Sequence, residues 1–202
     1  VTNLTADAVV GKVIDLVWTA PNNGGSVITG YLIERSTDGT NYTDLVADTQ
    51  SASVSYSDIN LTVGTTYYYK VSAINIVGLG TASTASNAVA GDKPNQITVI
   101  AATAVIGSEI DLAWTEPSDN SYAISSYAIE FSLDGSTNWQ SAGSNTVNSF
   151  THSSLTDGTT YYYRVSATNA IGTSAFSSIV NALAGDAPDQ VTGLTTTVLD
   201  DA

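Results

Sequence analysis

The chain repeats one pattern twice, and each copy has the length of a small domain. Residues 15–21 read DLVWTAP and residues 111–117 read DLAWTEP, an offset of 96 positions. Residues 61–73 read LTVGTTYYYKVSA, and residues 155–167 repeat this at an offset of 94 as LTDGTTYYYRVSA. A repeat this long exceeds one turn of a solenoid and suits a unit with its own core. The sequence therefore predicts two domains, at residues 1–92 and 93–186.

A third copy of the pattern begins near the end of the chain. Residues 191–195 read VTGLT, which resembles the VTNLT of residues 1–5. Residues 187–202 are therefore predicted to be the first strand of a third repeat, in a segment of a longer tandem array. Such a strand is either only the start of a further module, or it pairs with a sheet edge of a neighbouring molecule and builds a fibre by strand addition.

Composition and charge exclude several classes of partner. Charged residues make up only 12% of the chain, and its net charge is −14. An acidic surface repels phosphate groups, so we expect no nucleic-acid binding and no attraction to anionic membranes. No apolar run approaches the roughly 18 residues of a membrane span, so direct membrane insertion is not expected either. The chain contains no cysteine, so each core must be stable without disulfides.

Apolar residues alternate with polar ones along the strongest segments. Ile14, Leu16 and Trp18 share one face in the first repeat, and the second repeat conserves that face as Ile110, Leu112 and Trp114. A period of two is typical of a strand with one buried face, and no window shows a helical stripe. The pattern predicts an all-β fold with about seven short strands in each unit.

The most specific signal is an early tryptophan followed by a later Leu-x-x-Gly-x-x-Tyr run. Both repeats carry it, at Trp18, Leu61, Gly64 and Tyr67, and at Trp114, Leu155, Gly158 and Tyr161. On these motifs the chain resembles a tandem pair of fibronectin type III domains. The resemblance implies two immunoglobulin-like, seven-stranded β-sandwiches placed end to end, with a tryptophan in each core. It also implies that Tyr67 and Tyr161 form corners in which the hydroxyl bonds to backbone a few residues upstream.

Short linkers are predicted to hold the modules in line. They read AGDKP at residues 90–94 and AGDAP at residues 184–188. Proline fixes its own φ angle and favours extended geometry in the residue before it. We therefore expect semi-rigid joints and a rod-like array.

Candidate catalytic groups are scarce. His152 is the single histidine, and the first repeat has Asp58 at the equivalent position. A catalytic histidine needs a positioned nucleophile or carboxylate, and no nucleophile or metalloprotease motif is present. We predict no enzyme activity, no catalytic or cofactor-binding residue, and a strand-edge position for His152.

Acidic residues at the joints are the single candidate for metal binding. Asp92, Asp186 and Asp189 lie in or beside the linkers. Calcium takes oxygen ligands from carboxylates and carbonyls, so an intermodule calcium site is one reading of these residues. No Asp-x-Asp-x-Asp-Gly loop is present, and acidic linkers also serve solubility alone. Both alternatives stay open on the sequence.

Outward positions of the sheets offer candidate contact surfaces. Tyr68 and Tyr162 point outward, where a tyrosine either contacts a sugar or protein partner or packs on its own sheet. Matching charges on neighbouring strands predict cross-strand ion pairs, Glu34 with Lys70 and Glu130 with Arg164.

These features together predict a structural role. The chain is expected to be a non-catalytic spacer or adhesion module of a long extracellular or cell-surface repeat protein. Its partners would be neighbouring modules of the array, other copies of itself, surface proteins or glycans. Two alternatives remain: an accessory spacer in a secreted polysaccharide-degrading enzyme, and a subunit of an extracellular filament assembled by strand addition.

Overall fold

The computed structural model describes residues 1–188 and 192–194. Fifteen β-strands and no helix occur in this part of the chain, so the predicted all-β fold is confirmed. In chain order the strands are β1 Thr2–Val9, β2 Val13–Thr19, β3 Ile28–Ser36, β4 Thr43–Val46, β5 Ser55–Asp58, β6 Thr66–Asn75, β7 Gly78–Leu79, β8 Ser86–Val89, β9 Ile100–Val105, β10 Glu109–Trp114, β11 Ser126–Ser132, β12 Gln140–Asn145, β13 Ser149–His152, β14 Thr160–Thr168 and β15 Val180–Leu183.

Each repeat forms a sandwich of two antiparallel sheets. In the first domain, β1, β2 and β5 form one sheet, and β4, β3 and β6 form the other, with β7 and β8 paired to opposite ends of β6. In the second domain the sheets have the orders β9-β10-β13 and β12-β11-β14-β15. The second domain thus has the predicted seven strands. The first has eight, because Gly78–Leu79 pairs back on β6 where the second has only the bridge between Thr168 and Thr173.

The alternating residues of the sequence pattern build two separate cores. Trp18 and Trp114 are 3% and 4% exposed, and each lies edge-on to a buried tyrosine, Tyr31 or Tyr127, at centroid distances of 5.0 and 5.1 Å. Side chains from both sheets surround each pair, and no buried residue belongs to both clusters. Each domain therefore has a core of its own among the described residues.

The predicted third repeat is only partly described. Residues 189–191 and 195–202, which carry most of its predicted strand and Asp189, lie outside the described residues. No helix able to cross a membrane is found in the part of the chain that the structure describes.

Candidate functional site

The Leu-x-x-Gly-x-x-Tyr runs form the turn that enters β6 and β14. The hydroxyl of Tyr67 accepts the backbone N–H of Thr62 at 3.2 Å, and the hydroxyl of Tyr161 accepts that of Thr156 at 3.1 Å. Gly64 has a φ angle of 83°, in the left-handed region that glycine adopts without strain. Gly158 repeats the turn, while Leu61 and Leu155 pack on the cores. These residues form the tyrosine corner.

A buried charged cluster lies inside the first domain. Asp58 is 3% exposed, and both its carboxylate oxygens accept hydrogen bonds from Nη1 of Arg35, at 3.1 and 2.9 Å. The hydroxyl of Tyr69 donates a further hydrogen bond to Asp58 at 2.8 Å. Burial alone would lower the pKa of Arg35, but the hydrogen bonds and charge of Asp58 raise it. Burial and the same carboxylate raise the pKa of Tyr69 above its ordinary value.

The second domain fills the equivalent space with an aromatic cluster. Phe131, His152 and Tyr163 replace Arg35, Asp58 and Tyr69. The ring of His152 lies 4.9 Å from that of Phe131, and its Nδ1 lies 3.1 Å from the hydroxyl of Tyr163. Burial lowers the pKa of His152 below its ordinary value of 6.5. His152 lies on the edge strand β13, and aromatic side chains surround it instead of a nucleophile. This arrangement packs His152 among the rings of Phe131, Tyr161 and Tyr163.

One predicted cross-strand ion pair forms and the other does not. Arg164 donates to Glu130 from Nε at 2.8 Å and from Nη2 at 2.6 Å, and its guanidinium lies 4.1 Å from the ring centre of Trp139. Glu34 and Lys70 are also directly opposite in register. However, Nζ of Lys70 lies 4.0 Å from the ring centre of Tyr42, and no Glu34–Lys70 ion pair occurs among the described residues. The prediction of that second pair was wrong.

Tyr68 and Tyr162 lie over tight turns on the outer face of their sheets. Atoms of the Tyr68 ring would be 3.3 Å from a Cβ placed at Gly39, and those of Tyr162 would be 2.7 Å from one at Gly135. Both side chains are only half-buried. Each ring therefore lies against the glycine of a turn, and part of each ring is accessible. Contact of Tyr68 and Tyr162 with a partner stays a prediction.

The joint between the domains is held by hydrogen bonds from both of them. The carboxylate of Asp92 accepts the backbone N–H of Gly11 at 3.1 Å and that of Lys93 at 2.8 Å. The bond from Gly11 ties the linker to the β1–β2 turn of the first domain. The backbone of Asp92 is held by the second domain, because its carbonyl accepts a hydrogen bond from Nδ2 of Asn169 at 2.9 Å and its N–H donates to the carbonyl of Asn120 at 3.3 Å.

A tyrosine of the second domain closes the same joint. The hydroxyl of Tyr122 donates to the carbonyl of Val89 at 2.9 Å, and its ring lies so close to Gly91 that any Cβ there would overlap it. Gly91 and Pro94 are buried. The sequence pattern did not identify Tyr122, because the first repeat has Ser26 at the equivalent position. The matching asparagines Asn75 and Asn169 were visible as a repeat, but nothing in one sequence assigns them to the linker.

The far end of the second domain reproduces the linker half of this joint. The carboxylate of Asp186 accepts the N–H of Gly107 at 3.4 Å and that of Ala187 at 2.7 Å. Asp92 and Asp186 thus act as backbone acceptors at equivalent places. No group of three or more histidine, cysteine or acidic residues able to hold a metal occurs within the described ranges. Calcium binding at the joints stays a prediction, and Asp189 lies outside the described residues.

The opposite end of the first domain carries an open groove of about 480 Å³. The β2–β3 and β6–β7 loops line it, and its lining includes Asn23 and Asn75. Near it, Ile76, Val77 and Leu79 are 90%, 81% and 60% exposed. This end of the first domain, formed by the β2–β3 and β6–β7 loops, is its N-terminal pole. The corresponding end of the second domain contacts the linker.

Comparisons with known proteins agree with this architecture. The sequence model of the fibronectin type III domain matches residues 1–89 and 92–182. Endoglucanase B of Cellulomonas fimi is 34% identical over 163 residues, which are 78% of this chain and 15% of that protein. The striated-muscle M-protein of Gallus gallus is 27% identical over 183 residues, which are 85% of this chain and 12% of that protein. The chain thus spans a small part of these relatives.

A solved structure shows the same fold. Domains A168–A170 of titin superpose with a TM-score of 0.60 at 21% sequence identity, over 89% of this chain and 61% of that one. The sandwich topology, the tyrosine corners and the double family match lead to one conclusion. The chain belongs to the fibronectin type III family and contains two of its domains in tandem.

Proposed function

We propose that this chain is a non-catalytic structural spacer or adhesion module of a long extracellular or cell-surface repeat protein. The observation that carries the proposal is the joint. Two domains with separate cores are fixed to one another through hydrogen bonds of Asp92, Asn169 and Tyr122 across the boundary. A spacer must set a distance, and a joint bonded on several sides resists bending better than a free linker.

The family relationship supports a modular role. Its relatives include titin of Drosophila melanogaster, which is 41% identical over 80 residues, and myosin-binding protein C of Mus musculus, 28% identical over 167 residues. The chain covers 14% or less of either protein. A segment of a large multidomain protein is suited to connecting and presenting the other domains of that protein. Neighbouring modules are therefore the first class of partner that we propose.

Stiffness can be tested with two dyes on the chain. The protein has no cysteine, so cysteines introduced at the exposed Asn22 and Ile106 accept a donor and an acceptor selectively. We expect a single narrow distribution of transfer efficiency for freely diffusing molecules. A broad distribution would mean that the joint bends freely and would contradict the spacer role.

Location needs a separate experiment. We propose an extracellular or surface position, and antibodies raised against the chain should then label intact source cells without permeabilisation. Labelling that appears only after permeabilisation would overturn this part of the proposal.

A specific observation favours a second candidate role. The 34% identity with Endoglucanase B extends over 78% of the chain, which supports a spacer in a polysaccharide-degrading enzyme. A catalytic domain encoded beside this segment would establish that role. Binding of either module to a glycan array would add direct sugar contact, for which the half-buried Tyr68 and Tyr162 are the candidate residues. The filament alternative rests on residues 187–202, and unchanged light scattering after their deletion would contradict it.

A further inference from the structure

The outer face of the larger sheet of the first domain carries aromatic and polar side chains side by side. One row across β3, β6 and β8 consists of Ser36, Tyr68 and Asn87. The next row contains Glu34 and Lys70, two residues further along each strand and so about 7 Å away. Five side chains of this face are half-buried or exposed, and we call them the platform: Glu34, Tyr42, Tyr68, Lys70 and Asn87.

The charged groups of the platform are available to a ligand. No ion pair or side-chain hydrogen bond of Glu34 or Lys70 occurs in the part of the chain that the structure describes. Nζ of Lys70 lies over the ring of Tyr42 instead, 4.0 Å from its centre. A carboxylate accepts hydrogen bonds, an ammonium donates them, and the amide of Asn87 does both. Together these groups can bond to sugar hydroxyls, because each hydroxyl is both a donor and an acceptor.

The same place in the second domain is closed by that domain's own residues. Arg164 donates from both Nε and Nη2 to the carboxylate of Glu130. Its guanidinium lies 4.1 Å from the ring centre of Trp139 and 4.1 Å from that of Phe176. The first domain has Ala82 at the position of Phe176, so its cation is covered by one ring only. Charges and aromatic faces that engage one another in the second domain are therefore open in the first.

The chemistry of the platform fits a neutral sugar better than a protein or a charged polymer. Protein interfaces bury an apolar centre, and the platform contains no leucine, isoleucine or valine. The net charge of −14 repels anionic polysaccharides. A tyrosine offers an apolar ring face beside a polar tip. Glucose units in β-linkage hold their substituents equatorially, so each sugar ring has apolar faces and the polymer is a flat ribbon that can lie along a sheet.

We propose that the platform of the first domain binds a neutral, β-linked glucose polymer and that the second domain does not. The ring of Tyr68 packs on a sugar ring, while Glu34, Lys70 and Asn87 bond to its hydroxyl groups. Tyr42 holds the ammonium of Lys70 in place. The proposal rests on the second role considered above, a spacer in a polysaccharide-degrading enzyme, and adds to that role a site at which the spacer itself contacts the polymer.

Binding can be detected by titrating the chain, enriched in nitrogen-15, with cellohexaose, a soluble β-linked glucose oligomer. We expect the amide signals of Tyr68 and Lys70 to shift and to saturate at millimolar ligand. The matching signals of Tyr162 and Arg164 report on the second domain in the same sample and should stay in place. Maltohexaose has the same composition in a curled, α-linked chain and should shift neither set. Absence of saturable shifts with cellohexaose, or equal shifts in both domains, would overturn the proposal.

Matched variants test the platform itself. Tyr68→Ala should weaken binding about tenfold, the scale of one aromatic contact, whereas Tyr162→Ala should leave it unchanged. Lys70→Arg with Ala82→Phe gives the first domain the residues that close the second and should abolish binding while Tyr68 is kept. Dispersed amide signals like those of the wild type show that each variant is folded. Full binding by Tyr68→Ala or by the double variant would overturn the proposal. The enzyme role is tested by the neighbouring coding sequence, so it survives a failure of binding here.

Discussion

Asp58 and His152 occupy the same position in two sandwiches, yet their neighbours give them opposite chemical roles. In the first domain the residue is a buried carboxylate that is neutralised by Arg35, whose side chain is 34% exposed. In the second domain it is an imidazole among aromatic rings, and the position of the cation is filled by Phe131. The exchange of both partners together keeps the buried group matched to its surroundings, which a change of one alone would not.

The charged cluster should be sensitive to loss of one partner. Asp58→Ala removes the acceptor for Arg35 and for the hydroxyl of Tyr69 and should destabilise the first domain by about 1–3 kcal/mol. The double variant Arg35→Phe with Asp58→His introduces the residues that the second domain has at these positions. It should recover part of the lost stability. Urea unfolding followed by the amide NMR signals of each domain measures both. Equal stability of Asp58→Ala and wild type would contradict the role of the cluster.

His152 makes the stability of the second domain depend on pH. Burial lowers its pKa below the ordinary value of 6.5, so the unfolded chain binds the proton more readily than the folded domain. The stability that this residue contributes is therefore complete above pH 6.5 and is lost as the pH falls through the folded pKa. Urea unfolding at a series of pH values should show this loss.

The first domain provides the internal control for that measurement, because it contains no histidine. Its stability should stay nearly constant between neutral pH and the onset of carboxylate titration. His152→Gln should remove the slope of the second domain in the same interval. A slope that persists in this variant would assign the effect to another group.

At the scale of single elements, the turn into β6 and β14 depends on one hydroxyl. Tyr67→Phe removes the acceptor for the N–H of Thr62 and keeps the ring in the core. The partly buried N–H then loses its protein partner, and the first domain should lose about 0.5–1.5 kcal/mol of stability. Tyr68→Phe is the matched control on the next residue, since no hydrogen bond to the Tyr68 hydroxyl occurs in the described part of the chain. Thermal unfolding of both variants makes the comparison, and equal melting temperatures would contradict the corner.

Strand positions were predictable because each depends on a local rule. The faces of β2 and β10 follow from alternation around Trp18 and Trp114, and two copies of the same motif identify the family. Contacts between elements were less predictable. The register of Glu34 and Lys70 was correct, but the cation lies on the ring of Tyr42, a choice that depends on where β4 begins. Arg35 and Asp58 lie on different sheets, so no local pattern connects them.

At the scale of the whole molecule, the sequence predicted a stiff joint from the prolines of the linker. That reason is incomplete. Proline in the linker restricts the backbone, but the structure adds hydrogen bonds and the ring of Tyr122, which also oppose bending. That tyrosine occurs in one repeat only, so a comparison of repeats treats it as variation. Its importance depends on the path of the linker in space. Neither the composition nor the spacing of the motifs predicts that path.

The close fit of Tyr122 against Gly91 gives a test of the joint. Gly91→Ala places a Cβ in the space of the ring, which should displace Tyr122 and break its hydrogen bond to Val89. The two domains should then reorient independently and give alignment tensors of different magnitude in residual dipolar couplings. Gly185→Ala is the matched control in the second linker, because no atom lies within 4 Å of the added Cβ. A common tensor in Gly91→Ala would show that the joint does not need this contact.

The unlike linings of the two cores also affect how neighbouring modules fold. Adjacent domains with similar sequences can misassemble by exchanging strands. A β5 strand in the second sandwich would place the carboxylate of Asp58 beside Phe131 without its guanidinium, and β13 in the first would leave Arg35 without its anion. Because an uncompensated buried charge is costly, such hybrids are disfavoured. Alternating the two linings along an array would therefore favour pairing of each newly made strand within its own module. It would disfavour strand exchange between the modules of a long, repetitive chain.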